Sequence, residues 1–352
     1  MAGTGVRRAT ITTIAKRAGV APCTVSSVLN GQAEKRRIPS ETARLIWQEA
    51  KLLNYVPNAL ARGLRQQRTG VIGVVFADFT NNWADRVLNG MAPVLDQHAC
   101  LPFVLTHHWD PQREVREINS LVERQVDGII TVPLPGNETA YNGLLDHEMP
   151  LVFMGDTLES MPQANFVAWG SVPATKLAIR HLLEVGRRRI GYITHYWDTV
   201  INRERRVGYE ETLRQAGLPM NEKWEASVNQ EDQLPAKLKA IFDVPKEAQP
   251  DALFVNNDGL AFRTLAVLHE MGVRVPEDVA VIGMGDLPRG DEVGAGLSSV
   301  REPCEEIGRL AAETVLELML EPGKGPVRHV VAGEELKVRR STVGSGKHRG
   351  TV

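Results

Sequence analysis

Cysteine is scarce and scattered in this chain of 352 residues. Cys23, Cys100 and Cys304 share no CxxC spacing, which excludes a disulfide framework and a thiolate zinc site. Cys100 and Cys304 read instead as small core residues. Long apolar runs are missing too. The longest, Val71 to Ala77, falls far short of the roughly 20 residues that cross a bilayer, and no apolar stretch of an export signal follows Arg7-Arg8. The expectation is a cytoplasmic protein without a membrane partner. Catalytic signatures are also absent. Nine histidines, among them His107-His108, His147, His181 and His195, stand outside any Gly-x-Ser-x-Gly, His-Glu-x-x-His or phosphate-loop context. His107-His108 has a metal-binding reading beside that of a solvated loop pair. No catalytic residue, metal or cofactor is assigned, and no enzyme is expected.

What is present is a lopsided charge. Of 41 Lys+Arg and 43 Asp+Glu, 12 and 3 fall in residues 1–69, a net of +9, which leaves 29 and 40, a net of −11, for residues 70–352. A basic head on an acidic body is the asymmetry expected when one part neutralises phosphates and the other does not. The length also exceeds the roughly 250 to 300 residues at which one core stops growing.

The head ends near Thr69, where Arg65-Gln-Gln-Arg-Thr69 gives way to the strand-like Gly70-Val-Ile-Gly-Val-Val-Phe76. Strands near 71–76, 101–106, 127–132 and 150–154 alternate with helices near 83–97, 112–124 and 138–147. A second round follows Phe166, with helices near 172–185, 203–216 and 259–271 and strands near 189–194, 252–255 and 279–282. The alternation predicts an α/β fold of two lobes, each a parallel sheet with helices on both faces. A helix at 305–320 and strands near 327–331 and 335–339 pack back across the lobes. The expected domains are a head at 1–56, a linker at 57–69, a two-lobed core at 70–343 and a flexible tail at 344–352. Lobe 1 takes about 70–168 with part of 297–325, and lobe 2 takes 169–296 with 326–343. With strand ends facing one cleft, a small molecule belongs between the lobes.

In the head, Thr12 is placed to cap a helix over Thr13 to Ala18, Gly19 supplies the turn, and Pro22 begins the next helix. Val25, Val28 and Leu29 face inward, leaving Pro22, Cys23, Ser26, Ser27 and Asn30 on the outer or leading edge. In a helix-turn-helix that edge enters the major groove.

Thr10-Ile-Thr-Thr-Ile-Ala-Lys-Arg-Ala-Gly-Val20, Thr24-Val-Ser-Ser-Val-Leu-Asn-Gly31 and Asn54-Tyr-Val-Pro-Asn-Ala-Leu-Ala-Arg-Gly-Leu64 resemble the head of the LacI/GalR (lactose-repressor) family. Val126-Asp-Gly-Ile-Ile130, Arg205-Arg-Val-Gly-Tyr209, Asn257-Asp258, Val275-Pro-Glu-Asp-Val279 and Ile307-Gly-Arg-Leu-Ala311 continue the likeness through a core like a periplasmic binding protein. The resemblance implies a repressor that binds a pseudo-palindromic double-stranded operator as a homodimer. It implies DNA contacts from Thr10, Thr12, Pro22, Cys23, Thr24, Ser26, Ser27, Asn30, Tyr55, Asn58, Ala61, Arg62 and Leu64. Residues 58–64 would form a hinge helix only on DNA, since seven residues are too few for an isolated helix, with Leu64 wedged into a minor-groove step. Where the family carries Arg this chain has Ser27, so the commonest guanine reader is missing. Ala21 replaces the usual Ser or Thr cap, and Gly63 weakens the hinge helix. The loop Gln32 to Ile38 is longer than the family's and carries Lys35-Arg-Arg37, open to reading as phosphate contacts or as a solvated loop.

For a small-molecule effector, a sugar or related metabolite, the resemblance points to Asp78, Trp83, Arg205, Asn257 and Asp286. Arg205 is suited to fork hydroxyls or a carboxylate. Asp258 is read as the cap of the following helix, and Trp83, Trp169 and Trp197 as either ring platforms or packing. Gly170 and Gly285 stand where sugar-binding members carry aspartate, which favours a less polar or anionic ligand. The alternative is a solute-binding or enzymatic two-lobed protein with an accessory DNA-binding head.

Overall fold

A computed structural model of the chain describes residues 9–55, 68–79, 83–228, 231–288 and 296–343. The chain forms two compact units, Met1–Thr69 and Gly70–Val352.

The first unit holds α1 (Ile11–Ala18), α2 (Pro22–Leu29) and α3 (Ser40–Leu52). Its cap differs from expectation. Thr10, with extended backbone, accepts the N–H of Thr13 at 3.2 Å on its side-chain oxygen, so α1 starts one residue before Thr12, which lies exposed in the first turn. Gly19 closes α1 at φ 66, a left-handed position where only glycine avoids strain, and its N–H returns to the Ala15 carbonyl. α2 begins at Pro22 as read from the sequence, with no side-chain cap at Ala21. Ile14, Ala15, Ala18, Val25, Val28, Ile46 and Ala50 form the core. Burying each of the larger ones contributes roughly 1.5–3 kcal/mol.

The second unit carries two six-stranded sheets. The chain runs through β1 (Val71–Phe76), α4 (Trp83–Gln97), β2 (Leu101–Thr106), α5 (Pro111–Glu123), β3 (Gly128–Thr131), α6 (Glu138–Asp146), β4 (Leu151–Gly155) and β5 (Asn165–Trp169). It then enters the second lobe with α7 (Ser171–Glu184), β6 (Ile190–His195), α8 (Val200–Gln215), β7 (Glu225–Val228), α9 (Leu234–Phe242), β8 (Ala252–Val255), α10 (Asp258–Glu270), β9 (Ala280–Gly285) and β10 (Ser298–Arg301). Helix α11 (Cys304–Leu320), β11 (Arg328–Val331), β12 (Glu335–Lys337) and α12 (Arg340–Val343) complete it.

The first sheet is ordered β11-β5-β4-β3-β1-β2 and the second β12-β10-β9-β8-β6-β7. Every pairing is parallel except β10 with β12. The strand read at 327–331 therefore joins the first lobe, pairing Arg328 with Phe166 and Val331 with Trp169, and not the second lobe to which 326–343 was assigned. Conversely β10 lies in the second sheet while α11 packs on α4, β3, β4 and β5 of the first. The chain thus crosses between lobes three times. Helices α4 and α11 meet through glycine: a Cβ on Gly90 would lie 1.8 Å from the Glu305 carbonyl oxygen, and one on Gly308 2.0 Å from that of Val87. No side chain fits at either crossing.

Candidate DNA-reading head and effector cleft

The leading edge of α2 takes shape from its inward partners. With Val25 and Val28 buried, Pro22, Cys23 and Asn30 are exposed and Thr24 and Ser27 half-buried. Ser27 is engaged locally, donating its hydroxyl to the Cys23 carbonyl at 3.0 Å. Ser26 departs from expectation: it turns into the core at 6 % exposure, where the Asn30 amide donates to its carbonyl at 2.7 Å and to its hydroxyl oxygen at 3.3 Å. At roughly 3.6 residues per turn Ser26 lies only about 60° round the helix from Leu29, on the flank of the inward face. Tyr55 is half-buried and packs against the head core. Asn58, Ala61, Arg62 and Leu64 lie outside the described residues. Lys16, Arg17, Lys35, Arg36, Arg37, Arg44 and Lys51 are exposed, and of these Arg17 pairs with Glu49 at 2.5 Å.

In the second unit Asp78, Asn257 and Asp286 follow the carboxyl ends of β1, β8 and β9, whereas Trp83 opens α4 and Arg205 lies within α8, and their side chains are placed unequally. Trp83 donates its indole N–H to Glu302 Oε1 at 2.6 Å, and Arg205 Nη2 lies 3.9 Å from Glu302 Oε2. Sequence reading missed Glu302, the residue that joins them. It is 5 % exposed, and burial pushes its carboxyl up while Arg205, the Trp83 N–H and Arg86 pull it down. Arg86, also missed, is buried at the same place, donating to the carbonyls of Gly285 and Glu302 at 2.8 Å each and forking onto Glu305 at 3.0 and 3.1 Å. Its signal was an arginine on the otherwise apolar face of α4.

Arg205 donates from Nη1 to the Asn256 carbonyl at 2.7 Å and to Asn256 Oδ1 at 3.1 Å, and its buried Nε–H meets no acceptor. An unmet donor on a buried guanidinium is a place for a ligand oxygen.

The cap expected of Asp258 falls to Asn257, and Asp258 is instead a buried structural acceptor. Asn257 caps α10, its Oδ1 accepting the N–H of Leu260 at 2.9 Å. Asp258 is buried at 1 %, accepting from the Leu287 N–H at 2.8 Å and the Ser299 hydroxyl at 2.7 Å, and burial pushes its carboxyl up to about 6. Asn257 is in extended backbone, with its side chain folded back over the first turn of α10, which is why it takes the cap. Asp286 is claimed by Arg339 at 2.7 Å and sits at φ 52. Trp169 is core at 2 % exposure, not a platform.

Asp78 accepts the indole N–H of Trp109 at 2.7 Å, and Trp109 stacks on Trp197 with ring centroids 5.6 Å apart and planes at 21°. Trp109 went unread in the sequence, although it follows the carboxyl end of β2. His107, read as a loop or metal histidine, is fully buried: its Nε2 lies 3.1 Å from the Val132 carbonyl and its Nδ1 accepts the Trp109 N–H at 3.1 Å. Burial pushes its pKa down to about 4, so the ring is neutral. Open grooves of about 630 Å³ beside Pro93 and Arg309 and about 580 Å³ beside Trp224 and Lys237 lie away from these residues.

Residues 10–58 match the model of bacterial regulatory proteins of the lacI family, and residues 179–342 that of a periplasmic binding protein-like domain. The transcriptional regulator GntR of Pseudomonas aeruginosa is 32% identical over 344 residues, 95% of this chain and 96% of its own. The chain belongs to the LacI family. Another relative of this LacI-family protein is the transcriptional repressor PurR of Aliivibrio fischeri, 29% identical over 95% of this chain and 98% of its own. Among solved structures, a transcriptional regulator CelR–cellobiose complex is similar at a TM-score of 0.71 and 28% identity, covering 95% of this chain and all of that one. A lac repressor dimer bound to operator and the anti-inducer ONPF shares the fold at a TM-score of 0.81 and 20% identity, over 96% of this chain and all of that one. The LacI-family protein is therefore a transcriptional regulator, with a helix-turn-helix head and a two-lobed core. No helix among the described residues is long and apolar enough to cross a membrane.

Proposed function

We propose that the chain is a ligand-responsive repressor that binds a pseudo-palindromic operator as a homodimer, with its effector held between the lobes. The observation that carries the reading is the pairing, in one chain, of a basic helix-turn-helix head with a two-lobed body whose strand ends gather Trp83, Arg86, Arg205 and Glu302. The relatives named above are repressors and regulators over nearly the whole length, and one similar structure is a complex with cellobiose.

In this mechanism Pro22, Cys23, Thr24, Ser27 and Asn30 face the major groove. Ser27 and Cys23 offer only single or weak contacts, so base discrimination rests less on α2 than a guanine-reading arginine would allow. In the cleft, the unmet N–H of Arg205 takes an oxygen of the ligand. With Asp286 committed to Arg339 and Asn257 to its helix, few hydroxyl acceptors remain. A ligand with an anionic or carbonyl edge and a flat apolar face fits this set better than a polyhydroxylated sugar. Closure or opening of the lobes then changes operator affinity through a coupling of about 1–3 kcal/mol.

Selection of bound fragments from random duplex DNA tests the reading. An inverted repeat with two equivalent half-sites is expected. Enrichment of no sequence, or of an asymmetric single site, would contradict it.

A further inference from the structure

Trp109 and Trp197 belong to different lobes, following β2 and β6, and they stack face to face at 5.6 Å. The Trp109 indole and the Trp197 backbone are each held in place by hydrogen bonds. On the first lobe, the Trp109 backbone N–H is held by His107 Nδ1 at 3.1 Å, its indole N–H by Asp78 at 2.7 Å, and His107 is itself anchored to the Val132 carbonyl just past β3. His108 and Trp109 both lie in the left-handed region, at φ 50 and 59, where residues with a Cβ are strained. The loop bears that strain while aiming one ring at the other lobe.

On the second lobe the Trp197 carbonyl accepts from the Asn202 amide at 2.7 Å, Asn202 Oδ1 accepts from the Asn256 amide at 2.8 Å, and Asn256 accepts from Arg205. A continuous set of hydrogen bonds therefore runs from the cross-lobe stack to the guanidinium with the unmet donor.

We infer that Trp109 and Trp197 form a latch between the lobes, whose making and breaking sets the lobe angle and transmits engagement of Arg205 to the operator-binding state. Both are positioning residues, acting through the lobe angle and not by reading DNA. The inference rests on the repressor reading above.

The test uses the full chain and the duplex selected from random DNA. Trp109→Leu and Trp197→Leu keep apolar bulk but lose the stacking face; Trp109→Phe and Trp197→Phe restore one. The wild type should show a near-ultraviolet circular dichroism couplet from the paired indoles, lost in both Leu variants. Operator Kd should move in the same direction in both, by about fivefold or more. The double Leu variant should move no further than either single one, because both single variants already abolish the same stack, and the Phe variants should return to within about twofold of wild type. Leu variants with the couplet lost and an operator Kd unchanged would overturn the latch while leaving the repressor reading intact, as would a wild type with no couplet. A wild type that selects no duplex would overturn both. If one Leu variant fails to fold, the other single Leu variant abolishes the same stack and carries the same two outcomes, a shifted Kd for the latch and an unchanged Kd against it.

Discussion

Glu114 is a buried carboxylate with no cation among the groups that set its charge. It accepts from the Leu134 N–H at 3.2 Å, the Asn137 amide at 2.5 Å and the Tyr141 hydroxyl, and burial nonetheless pushes its pKa up to about 7 from 4.5. The folded state holds this proton more tightly than the unfolded chain. Stability from this group is therefore complete below about pH 4.5 and is lost as pH rises to about 7, an amount on the order of 3 kcal/mol. Glu114→Gln has no charge to bury, so the variant should gain stability relative to wild type between pH 4 and pH 8 in urea unfolding. Parallel curves would contradict the assignment. Thr10 makes a second single-residue case. Thr10→Ala removes the cap of α1 and should cost the head about 1 kcal/mol in thermal unfolding, whereas Thr12→Ala should cost a few tenths at most. The reverse order would restore the cap to Thr12.

At the scale of elements, legibility followed apolar pattern. β1, β2, β8, α4 and the start of α2 were read to the residue: the strands from short apolar runs, α4 from Ala84, Val87, Met91 and Leu95 at helical spacing, and α2 from the proline at its first turn. β10 was not read, since Ser298 and Ser299 are polar; they are buried because their hydroxyls pair with Thr342, the Arg339 carbonyl and Asp258. β7 was missed because Glu225 and Ser227 break its apolar run, and α9 was missed although Leu234, Leu238, Ile241 and Phe242 fall at helical spacing behind Pro235. The placement of β11 could not be read from period or composition, because which sheet edge a late strand joins depends on a chain crossing. The site was legible in outline only. Arg205 and Trp83 came together as expected, but the local hydrogen bonds that commit Asn257 and Asp286 elsewhere are tertiary events.

One element of the head carries its own prediction. Lys35, Arg36 and Arg37 project from the loop between α2 and α3, all exposed. If they neutralise phosphates, replacing all three with alanine should lessen the log–log salt slope of operator binding by about 0.9 for each phosphate no longer neutralised, with equal weakening on unrelated duplexes. An unchanged slope would mark a solvated loop.

For the whole molecule, the division at residue 69 matches the division of charge. The net of +9 belongs to the unit built around α1 to α3, and the net of −11 to the two-lobed unit. An acidic body repels phosphate, so in the proposed function duplex binding comes from the head, and the body acts by controlling how two heads are presented. This central claim is tested most directly by measuring binding of the full chain and of residues 70–352 to the same selected duplex across a salt series. The account predicts tight, steeply salt-dependent binding by the full chain and none by residues 70–352. Equal binding by the two would contradict it.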